Sequence, residues 1–594
     1  MGQREWQGFG MEPLITLREA DPATLRAAGR LGLPPIVTRV LANRASAVGV
    51  APEWLLDFSL HSLDPPEGLP DIELASDRIA QAVIAGEVIA LATDADSDGV
   101  NASTVLTRAL TEHFGHPAER VQHYIGLKLT EGYGVSDAVC SRILAADPRP
   151  GLVVTADIGS SDGPRIERLA AAGIDVIVTD HHGIPREGGP DAALAFVNPL
   201  RPDSRYPDPL IAGVMVAWLV LWAVRQRLIA RGFLRSDSPS LRALLGWVAT
   251  GTVADVVSLA RSRNNRIVVR EGIRQIEAGS HACWRALRPH LGDSAKPLAA
   301  SDLAFGIGPR LNAAGRLHDA MAGVRFLLDN DDASARHGAE LLNRTNEARR
   351  VIEKRLTSEA LSIAGALVEA GRSALVVSLT DGHAGVHGIV ASRVMNTFAR
   401  PAICLSASTE LPGALTGSCR SIDGLHMLEV LQALEQEIPG LFVKYGGHQG
   451  AAGLTLKAGR LPLFEDAFER EVARRVDGVT LRPRIDVDAD VEPGALTSSL
   501  VDGLAGIGPF GREFPEPTLR SVFTVREARE VGVDGGHWKL TLAYGGERVD
   551  AIWFNAGSDC PAIPGSCVRL VFTPEANWWR GQRRLQLRIQ ARAD

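Results

Sequence analysis

Acidic and histidine side chains form four clusters in the first half of the chain, and their chemistry indicates metal-dependent hydrolysis. The clusters are Asp94, Asp96 and Asp98; Asp157; Asp180, His181 and His182; and Asp255. Carboxylates mixed with one or two imidazoles suit Mn2+ or Mg2+ better than Zn2+, which favours Cys and His. Two such ions held close together would form a site for hydrolysing a phosphodiester.

Each cluster also has a simpler interpretation. A single Asp at a strand end is more often the N-cap of the next helix than a metal ligand. Asp94, Asp96 and Asp98 fit that interpretation poorly, because alternate residues share one face and like charges repel unless a cation offsets them. Asp180 could be a capping residue followed by two surface histidines. The presence of all four clusters in one chain favours metal binding.

Short apolar segments precede the first three clusters and predict how they are positioned. Val88–Thr93, Leu152–Ala156 and Val176–Thr179 have the composition of buried parallel strands, and Gly163–Ala172 is predicted to be a helix. Ligands bind at the carboxyl ends of such strands in an open α/β sheet. We therefore expect clusters that are distant in sequence to converge at one edge of a sheet.

Further motifs give the chain a resemblance to a known family. They are Glu131–Gly134, Gly308–Arg316, Ala391–Arg393, Gly417–Ser421 and Gly446–His448. Together with Asp180-His181-His182, they resemble segments of the DHH phosphoesterases, and most closely of the bacterial single-strand-specific 5′ to 3′ exonucleases in that family. The resemblance runs from about Leu63 to the last residues.

An α/β fold class with several domains follows from the sequence patterns and the resemblance. The resemblance implies a DHH parallel-sheet domain joined by a long helix to a DHHA1 α/β domain, followed by a C-terminal OB-fold β-barrel. The predicted bounds are an irregular N-terminal extension at 1–70, the DHH domain at 71–330, a connecting helix at 331–370, the DHHA1 domain at 371–476 and the OB-fold at 482–594.

Three of these domains have local signals of their own. The mixed polar and apolar repeat over Ala335–Ala364 predicts one long helix. Ser373–Ser378 is predicted to be the first strand of the second α/β unit, with glycine-rich loops at Gly413–Gly424 and Gly446–Gly453 that bring backbone close to a ligand. Short alternating strands after about Arg482 predict a small barrel.

The metal chemistry assigns a role to each clustered residue. We choose Asp157 as the bridging carboxylate between two ions, with Asp96, Asp98, His181 and Asp255 as further ligands. Asp94 is either a ligand or an anchor behind the ligands, and Asp180 is expected to orient a histidine. The resemblance places His182 against the substrate phosphate, where it would donate a hydrogen bond or a proton.

Phosphate binding is predicted on the opposite side of the same cleft. The candidates are Arg310, Asn312 and Arg316, followed by Ser392, Arg393, Ser418, Arg420 and His448, whose positions resemble the family's nucleotide-binding residues. A guanidinium group fits two phosphate oxygens at once. An arginine in a loop is individually most often a solvated charge. The recurrence of these arginines beside Gly and Ser favours binding.

Two adjacent tryptophans beside positive charge are candidates for binding the strand itself. Trp578, Trp579 and Arg580 offer two indoles for base stacking and a cation for the backbone. The alternative is a hairpin in which one tryptophan fills the barrel core.

Composition limits the class of protein. The chain has 594 residues, enough for roughly four domains. A formal net charge of −7 excludes a globally basic surface, so contacts to nucleic acid must depend on local patches. Six cysteines without a Cys-x-x-Cys pair predict scattered thiols in a reducing cytoplasm.

We expect neither export nor a membrane span. Met1–Met11 lacks the apolar segment of a secretory signal. The apolar segment Leu210–Val224 has 15 residues, fewer than the roughly 20 needed to cross a bilayer. It is predicted to be a buried core helix that starts at Pro209.

The resemblance also implies partners. These are single-stranded DNA, with a single-strand-binding protein and a helicase as further partners of a monomeric, cytoplasmic enzyme that uses two Mn2+ or Mg2+ ions in DNA recombination and repair.

The chain departs from the family pattern at a few positions. Ala95 and Ser97 replace residues that are not ligands. Lys128 stands where the family tends to have Arg, which keeps the charge but loses the bidentate geometry. Arg512–Phe514 replaces a glycine and an asparagine, which affects a contact beside the OB-fold.

Two other functions are compatible with the same motifs. The first is cleavage of short oligoribonucleotides or cyclic dinucleotides, which would have no need for a strand-length platform. The second is an inactive DNA-binding scaffold, which would have lost metal ligands; all of them are present here.

Overall fold

A computed structural model describes residues 12–127, 131–186, 188–317, 319–478, 481–532, 535–557 and 562–593. Its described strands form two five-stranded sheets, one two-stranded sheet and one six-stranded sheet. The α/β fold class is confirmed.

The first five-stranded sheet is entirely parallel, with the strand order β3-β2-β4-β5-β6. Its strands are β2 (Ile89–Thr93), β3 (Val121–Ile125), β4 (Leu152–Ala156), β5 (Asp175–Thr179) and β6 (Ala195–Val197). Every residue of β2 and β4 is buried. This is why their sequences are continuous apolar runs, and the three predicted strands lie within one residue of the observed bounds.

Helices cover both faces of this sheet. They are α3 (Ile72–Ala85), α4 (Ser97–Arg108), α5 (Asp137–Leu144), α6 (Gly163–Ala171), α7 (Gly213–Ala230), α8 (Leu245–Ala254) and α9 (Arg263–Ala278). Helix α7 begins at Gly213, so the prediction that Pro209 starts it was wrong. Among the described residues, α7 is the one helix long and apolar enough to cross a membrane, and 67% of its apolar window is buried inside the protein.

A series of helices leads from the first sheet to the second. They are α10 (Ala282–Leu287), α11 (Ala300–Asp302), α12 (Gly308–Leu317), α13 (Met321–Leu328) and α14 (Asp332–Glu369). The last has 38 residues and contains the predicted long helix. It begins at an N-cap, Asp331, whose carboxylate accepts hydrogen bonds from the backbone of Ala333 and Ser334. At 1.5 Å per residue it extends about 57 Å.

The second five-stranded sheet is mixed, with the order β10-β11-β9-β8-β7. Its elements are β7 (Leu375–Ser378), α15 (Ala384–Phe398), β8 (Ala402–Ala407), β9 (Ala414–Arg420), α16 (Met427–Glu437), β10 (Phe442–Gly447), β11 (Ala451–Lys457) and α17 (Leu461–Arg475). The two glycine-rich segments predicted as loops are largely strands β9, β10 and β11. Gly417 allows β9 to lie close to β8, because a Cβ at this position would lie 2.5 Å from the carbonyl oxygen of Cys404 on β8.

A closed β-barrel forms the C-terminal part of the chain. Its elements are β13 (Ala489–Asp490), α18 (Ser498–Ile507), β14 (Leu519–Val531), β15 (His537–Tyr544), β16 (Glu547–Trp553), β17 (Cys567–Trp579) and β18 (Gln582–Arg592). The strand order is β13-β14-β15-β16-β18-β17, and pairing of β14 with β17 closes the barrel. The predicted barrel is confirmed.

The described part of the N-terminal segment, from residue 12 onward, contains regular elements, so the expectation of an irregular extension was wrong. It contains β1 (Leu14–Leu17), α1 (Pro22–Gly29) and α2 (Pro35–Val48). Strand β1 pairs in parallel with β12 (Arg484–Val487), which directly precedes the barrel. The N-terminal segment is therefore joined to the segment that leads into the barrel.

A buried ion pair fixes this junction. The guanidinium of Arg44 on α2 donates to both carboxylate oxygens of Asp488, at 2.9 and 2.7 Å, and both side chains are 1% exposed. The Asp488 carboxylate also accepts a hydrogen bond from the backbone N–H of Thr518 at 2.9 Å. Arg18 also donates to Asp488 at 3.1 Å, but it is 20% exposed, so removing Arg44 would take away the one fully buried cation beside this carboxylate among the described residues.

We predict that Arg44→Ala lowers the free energy of unfolding by about 3 kcal/mol, the lower end for a broken buried pair, because Asp488 keeps only the less buried Arg18 as an ionic partner. Chemical denaturation of the full chain measures this change. The matched control is Arg26→Ala on α1, an exposed arginine, which should change the value by less than about 0.5 kcal/mol. Equal losses in both variants would show that the ion pair does not hold the junction.

Candidate active site

The ends of three adjacent strands bring the acidic clusters together. Thr93, Ala156 and Thr179 are the last residues of β2, β4 and β5, and they are paired side by side in register. The clusters at Asp94, Asp157 and Asp180 follow immediately. The fourth cluster comes from a helix, because Asp255 directly follows α8. The expected convergence at one sheet edge is therefore observed.

Three groups of side chains have potential ligand atoms within 4.8 Å of one another. They are Asp94, Asp96 and Asp157; Asp98, His181 and Asp255; and Asp157, His181 and His182. Asp157 and His181 each belong to two groups, so the three groups form one continuous centre.

Two buried atoms in this centre lack hydrogen-bond partners among the described residues. They are Asp157 Oδ1 and His181 Nε2, which lie 3.1 Å apart. A second carboxylate oxygen, Asp255 Oδ2, lies 3.5 Å from the same nitrogen. Oxygen donors with one imidazole nitrogen form a donor set suited to Mn2+ or Mg2+, so the residues fit the expected ions.

The carboxylates in the centre strongly disfavour one another's charge. Burial, followed by the charges of Asp98 and Asp96, raises the pKa of Asp157 well above its usual range. Burial and Asp96 raise the pKa of Asp98 to about 7, and burial with Asp98 raises that of Asp255. A divalent cation would offset this repulsion and restore the ionised carboxylates.

Backbone N–H groups position two of these carboxylates. Asp96 Oδ1 accepts hydrogen bonds from the N–H groups of Asp98 and Gly99, so Asp96 is the N-cap of α4 as well as a member of the centre. The carboxylate of Asp98 accepts from Gly213 and Val214 at the start of α7, at 2.8 and 3.1 Å. Helix N-termini carry partial positive charge, which stabilises both carboxylates.

The backbone of Asp157 adopts a left-handed conformation, with φ of 64°. Asp tolerates this region better than most residues. Its N–H donates to Thr179 O at 3.1 Å. Gly213 lies directly against it, since a Cβ at that glycine would be 2.7 Å from the Asp157 side chain. The tight packing fixes the direction of the carboxylate.

The two adjacent histidines have opposite protonation behaviour. Burial lowers the pKa of His181 to about 4. Its Nδ1 is 3.0 Å from Ile211 O, an acceptor, so the neutral ring carries its proton on Nδ1 and directs the Nε2 lone pair into the centre. For His182, burial lowers the pKa, but the hydrogen bond and charge of Asp180 outweigh it and raise the value to about 9.

Asp180 is a buried anchor for this segment. Its Oδ1 accepts hydrogen bonds from the backbone N–H of His181 and from Nδ1 of His182, both at 2.8 Å, and its Oδ2 accepts from the N–H of Ser160. Burial raises its pKa, but the bond and charge of His182 hold the pKa well below the usual range. This geometry is that of the orienting carboxylate expected from the sequence. The side chain of His182 remains 53% exposed and open to a substrate.

Arg420 and His448 lie on the second α/β unit, which we call the second wall; the first wall is the edge of the first sheet that carries the acidic clusters. The guanidinium of Arg420 donates to Ser392 Oγ at 3.1 Å, and Gly388 leaves room for it, since a Cβ there would be 2.5 Å from its Nη2. Burial lowers the pKa of His448, as do the nearby positive charges of Arg420 and His182. His448 is thus close enough to both walls for charges on each of them to affect its pKa. Ser418 is two residues before Arg420 on β9.

Helix α12 connects the two walls. Asn312 Oδ1 accepts a hydrogen bond from the N–H of Ser97 at 2.6 Å, within the first acidic cluster. Arg316, at the other end of α12, donates to Gly385 O on α15 at 2.9 Å. Arg393 pairs with Glu353 on α14 at 3.5 Å.

Arg310 is bound to protein acceptors. It donates to Asn343 Oδ1, Gly306 O and His290 O at 3.0, 2.7 and 3.0 Å. These bonds hold its guanidinium between α12 and α14, and its role as a phosphate ligand stays a prediction.

The tryptophan pair lies at the tip of the β17–β18 hairpin. Trp579 is 70% exposed, Trp578 is half-buried, and the guanidinium of Arg580 lies 5.7 Å from the centre of the Trp579 ring. Trp579 does not fill the barrel core. Neighbouring Arg583 is paired with Asp502 on α18.

Asn198 is a site residue that sequence reasoning missed. It is fully buried, and its amide donates to His182 O at 2.9 Å and to Ser160 Oγ at 3.0 Å. Asn198 directly follows β6, so the strand-end rule used for the acidic clusters would have found it. Lys128 lies outside the described residues.

Family models match three parts of the chain: the DHH family N-terminal domain at residues 88–252, the DHHA1 domain at 371–474 and the RecJ OB domain at 487–591. The single-stranded-DNA-specific exonuclease RecJ of Escherichia coli (strain K12) is 36% identical over 570 residues, which cover 94% of this chain and 95% of that relative.

Solved structures agree with these matches. RecJ from Thermus thermophilus in complex with Mn2+ superposes with a TM-score of 0.77 at 26% identity, covering 98% of this chain and 79% of that one. The same protein in complex with Mg2+ gives a TM-score of 0.74 at 27% identity, covering 98% and 78%. The chain belongs to the RecJ family of the DHH phosphoesterases.

Proposed function

We propose that this chain is a metal-dependent exonuclease that hydrolyses single-stranded DNA from the 5′ end and releases mononucleotides. The observation that carries the proposal is the continuous centre of carboxylates and imidazoles around Asp157 and His181. The names of its relatives give the substrate class.

The centre would hold two Mn2+ or Mg2+ ions. Asp157 is the proposed bridging ligand, because it belongs to two of the three ligand groups. The remaining ligands are Asp94, Asp96, Asp98, His181 and Asp255. When bound, the two ions would activate a water molecule and offset the charge of the leaving oxygen.

The chain's own groups prepare the phosphodiester for attack. Protonated His182, oriented by Asp180, donates a hydrogen bond to a phosphate oxygen beside the centre. Across the cleft, Arg316, Asn312, Ser392, Arg393, Ser418, Arg420 and His448 are the proposed phosphate and nucleotide contacts. Arg420 is preoriented by Ser392, which reduces the side-chain entropy lost on binding.

Selectivity for a single strand follows from the two walls and the barrel. Helix α14 spans the two α/β units and Arg316 bonds across them, so the cleft width is set by rigid elements. Trp578, Trp579 and Arg580 would stack bases and attract the backbone beyond the cleft. A dinucleotide would leave this platform unused.

The cellular setting is part of the proposal. We infer a monomeric cytoplasmic enzyme of DNA recombination and repair, with a single-strand-binding protein and a helicase as partners.

Substrates labelled at either end test the activity. With Mn2+ or Mg2+, the chain should release labelled mononucleotides from the 5′ end of a single strand and leave blunt duplexes largely intact. Asp157→Ala should abolish hydrolysis while keeping the fold and most strand binding, because the bridging ligand serves both ions but the strand contacts lie elsewhere. Activity of this variant within a few-fold of the parent would contradict the metal assignment.

Degradation from the 3′ end would reverse the proposed polarity. Preference for a dinucleotide would favour the first alternative function, and no hydrolysis at all would favour the inactive scaffold.

The pKa of His182 predicts a pH dependence. Because that pKa is raised to about 9, His182 stays protonated at neutral pH and loses its proton as the pH rises through about 9. Asp180→Asn removes the charge that raises the pKa, so deprotonation should move to lower pH, in the direction of the ordinary value. NMR titration of the His182 ring in the metal-free chain measures the shift, with Asp162→Asn, a nearby buried carboxylate, as the control. An unmoved His182 titration would show that Asp180 does not set its charge.

The hairpin prediction concerns strand binding. Replacing Trp578, Trp579 and Arg580 together by Ala should weaken binding to long strands by roughly 1–3 kcal/mol per stacked base and lower its salt dependence. Hydrolysis of very short oligonucleotides should be kept. Salt-dependent binding and thermal unfolding measure the two effects, with Arg548→Ala, an exposed arginine beside another barrel turn, as the control.

If the triple variant binds long strands as tightly as the parent, the proposed strand contact of this hairpin is wrong. Substitution is a sharper test than deletion after about Leu481, because the deletion would remove Asp488 and leave Arg44 buried without its carboxylate.

A further inference from the structure

A strained residue follows the metal-centre carboxylate Asp255. Val256 has φ of 61° and is 59% exposed. The left-handed region is unfavourable for a β-branched residue, and such conformations persist only where the surrounding structure imposes them. The backbone at Val256 helps set where the Asp255 carboxylate lies, so whatever holds this turn also helps position the centre.

Contacts from the segment between α18 and β14 of the barrel hold the turn. The N–H of Leu259 donates to Arg512 O at 3.0 Å. Ser258 Oγ donates to the carboxylate of Glu513 at 2.6 Å, and Arg261 donates to the same carboxylate through Nε and Nη2 at 2.8 and 2.9 Å. Ser258 is 6% exposed, so its hydrogen bond to Glu513 holds the turn on its buried side.

The segment that carries Glu513 is itself firmly anchored. Phe514 is buried, with the guanidinium groups of Arg44 and Arg266 at 4.8 and 4.4 Å from its ring centre. Arg266 also donates to Leu259 O and Ile507 O, at 3.0 and 2.6 Å. The Glu513 carboxylate is therefore held in a fixed position, where Ser258 and Arg261 donate hydrogen bonds to it. This is the segment where the chain departs from the family's glycine and asparagine.

We propose that Glu513 is a positioning residue for the metal centre: through Ser258 and Arg261 it maintains the strained turn at Val256 that directs Asp255. The inference rests on the proposed function, because it takes Asp255 as a metal ligand. The segment between α18 and β14 thus contributes to metal affinity from outside the DHH domain.

An exposed ion pair by itself adds little stability. The importance of Glu513 lies in geometry, because its two carboxylate oxygens fix two side chains of one turn at once. A purely structural role would change thermal stability without changing metal affinity. The position of Val256 offers a way to separate the two roles, since glycine adopts positive φ as readily as negative φ.

Calorimetric titration of the full chain with Mn2+ tests the proposal. Glu513→Ala should weaken Mn2+ binding about tenfold, the lower end of losses found when groups behind metal ligands are removed. Glu527→Ala, an exposed carboxylate on β14, is the matched control and should bind like the parent. Arg261→Lys, which keeps the charge but loses the bidentate geometry, should give a smaller loss in the same direction.

The decisive comparison is made in the Val256→Gly background. If Glu513 acts by maintaining the strained turn, adding Glu513→Ala to Val256→Gly should weaken Mn2+ binding by about twofold or less, the margin for independent sites. The same tenfold loss in both backgrounds would overturn the proposal, as would unchanged affinity in folded Glu513→Ala and Arg261→Lys. Absence of Mn2+ binding by the parent would overturn the metal centre and this inference with it.

Discussion

Repulsion among buried carboxylates is the constraint on which the rest of this structure depends. Burial raises the pKa values of Asp98, Asp157 and Asp255, and the charges of neighbouring aspartates, chiefly Asp96 and Asp98, raise them further. The protein offsets part of that cost with N–H donors at the starts of α4 and α7. Divalent cations would supply the remainder. The arrangement therefore suits a metal centre.

The elements around the centre set the distance between its two walls. Helix α12 touches the first acidic cluster through Asn312 and the second α/β unit through Arg316. Gly315 allows this close approach, since a Cβ there would lie 2.3 Å from Ala95 O. A shift of α12 would therefore disturb both the backbone of the first acidic cluster and the contact with α15.

The sequence predicted the parts of the fold that depend on local pattern. Strands β2, β4 and β5 are continuous apolar runs because both faces are buried, and the Asp clusters mark their ends. The pairing of β1 with β12 was not predictable, because four residues give little pattern and their partner lies about 470 positions away. The contacts of Arg310 were not predictable for a related reason: its acceptors are two backbone carbonyls and an amide side chain on separate elements, which no local motif records. Adjacent residues on a strand point to opposite faces, so the unequal exposure of Trp578 and Trp579 was foreseeable, but which one is exposed depends on the register of the hairpin.

Different surroundings explain how one dipeptide serves two chemical purposes. His181 turns inward, where burial keeps its ring neutral and leaves Nε2 as a ligand atom. His182 turns towards the cleft and contacts Asp180, which keeps its ring protonated. Environments that push two neighbouring pKa values apart assign different roles to identical side chains. A single Asp-His-His segment at one strand end thus holds one neutral and one protonated imidazole, and Asp180 is the group that keeps the second one protonated.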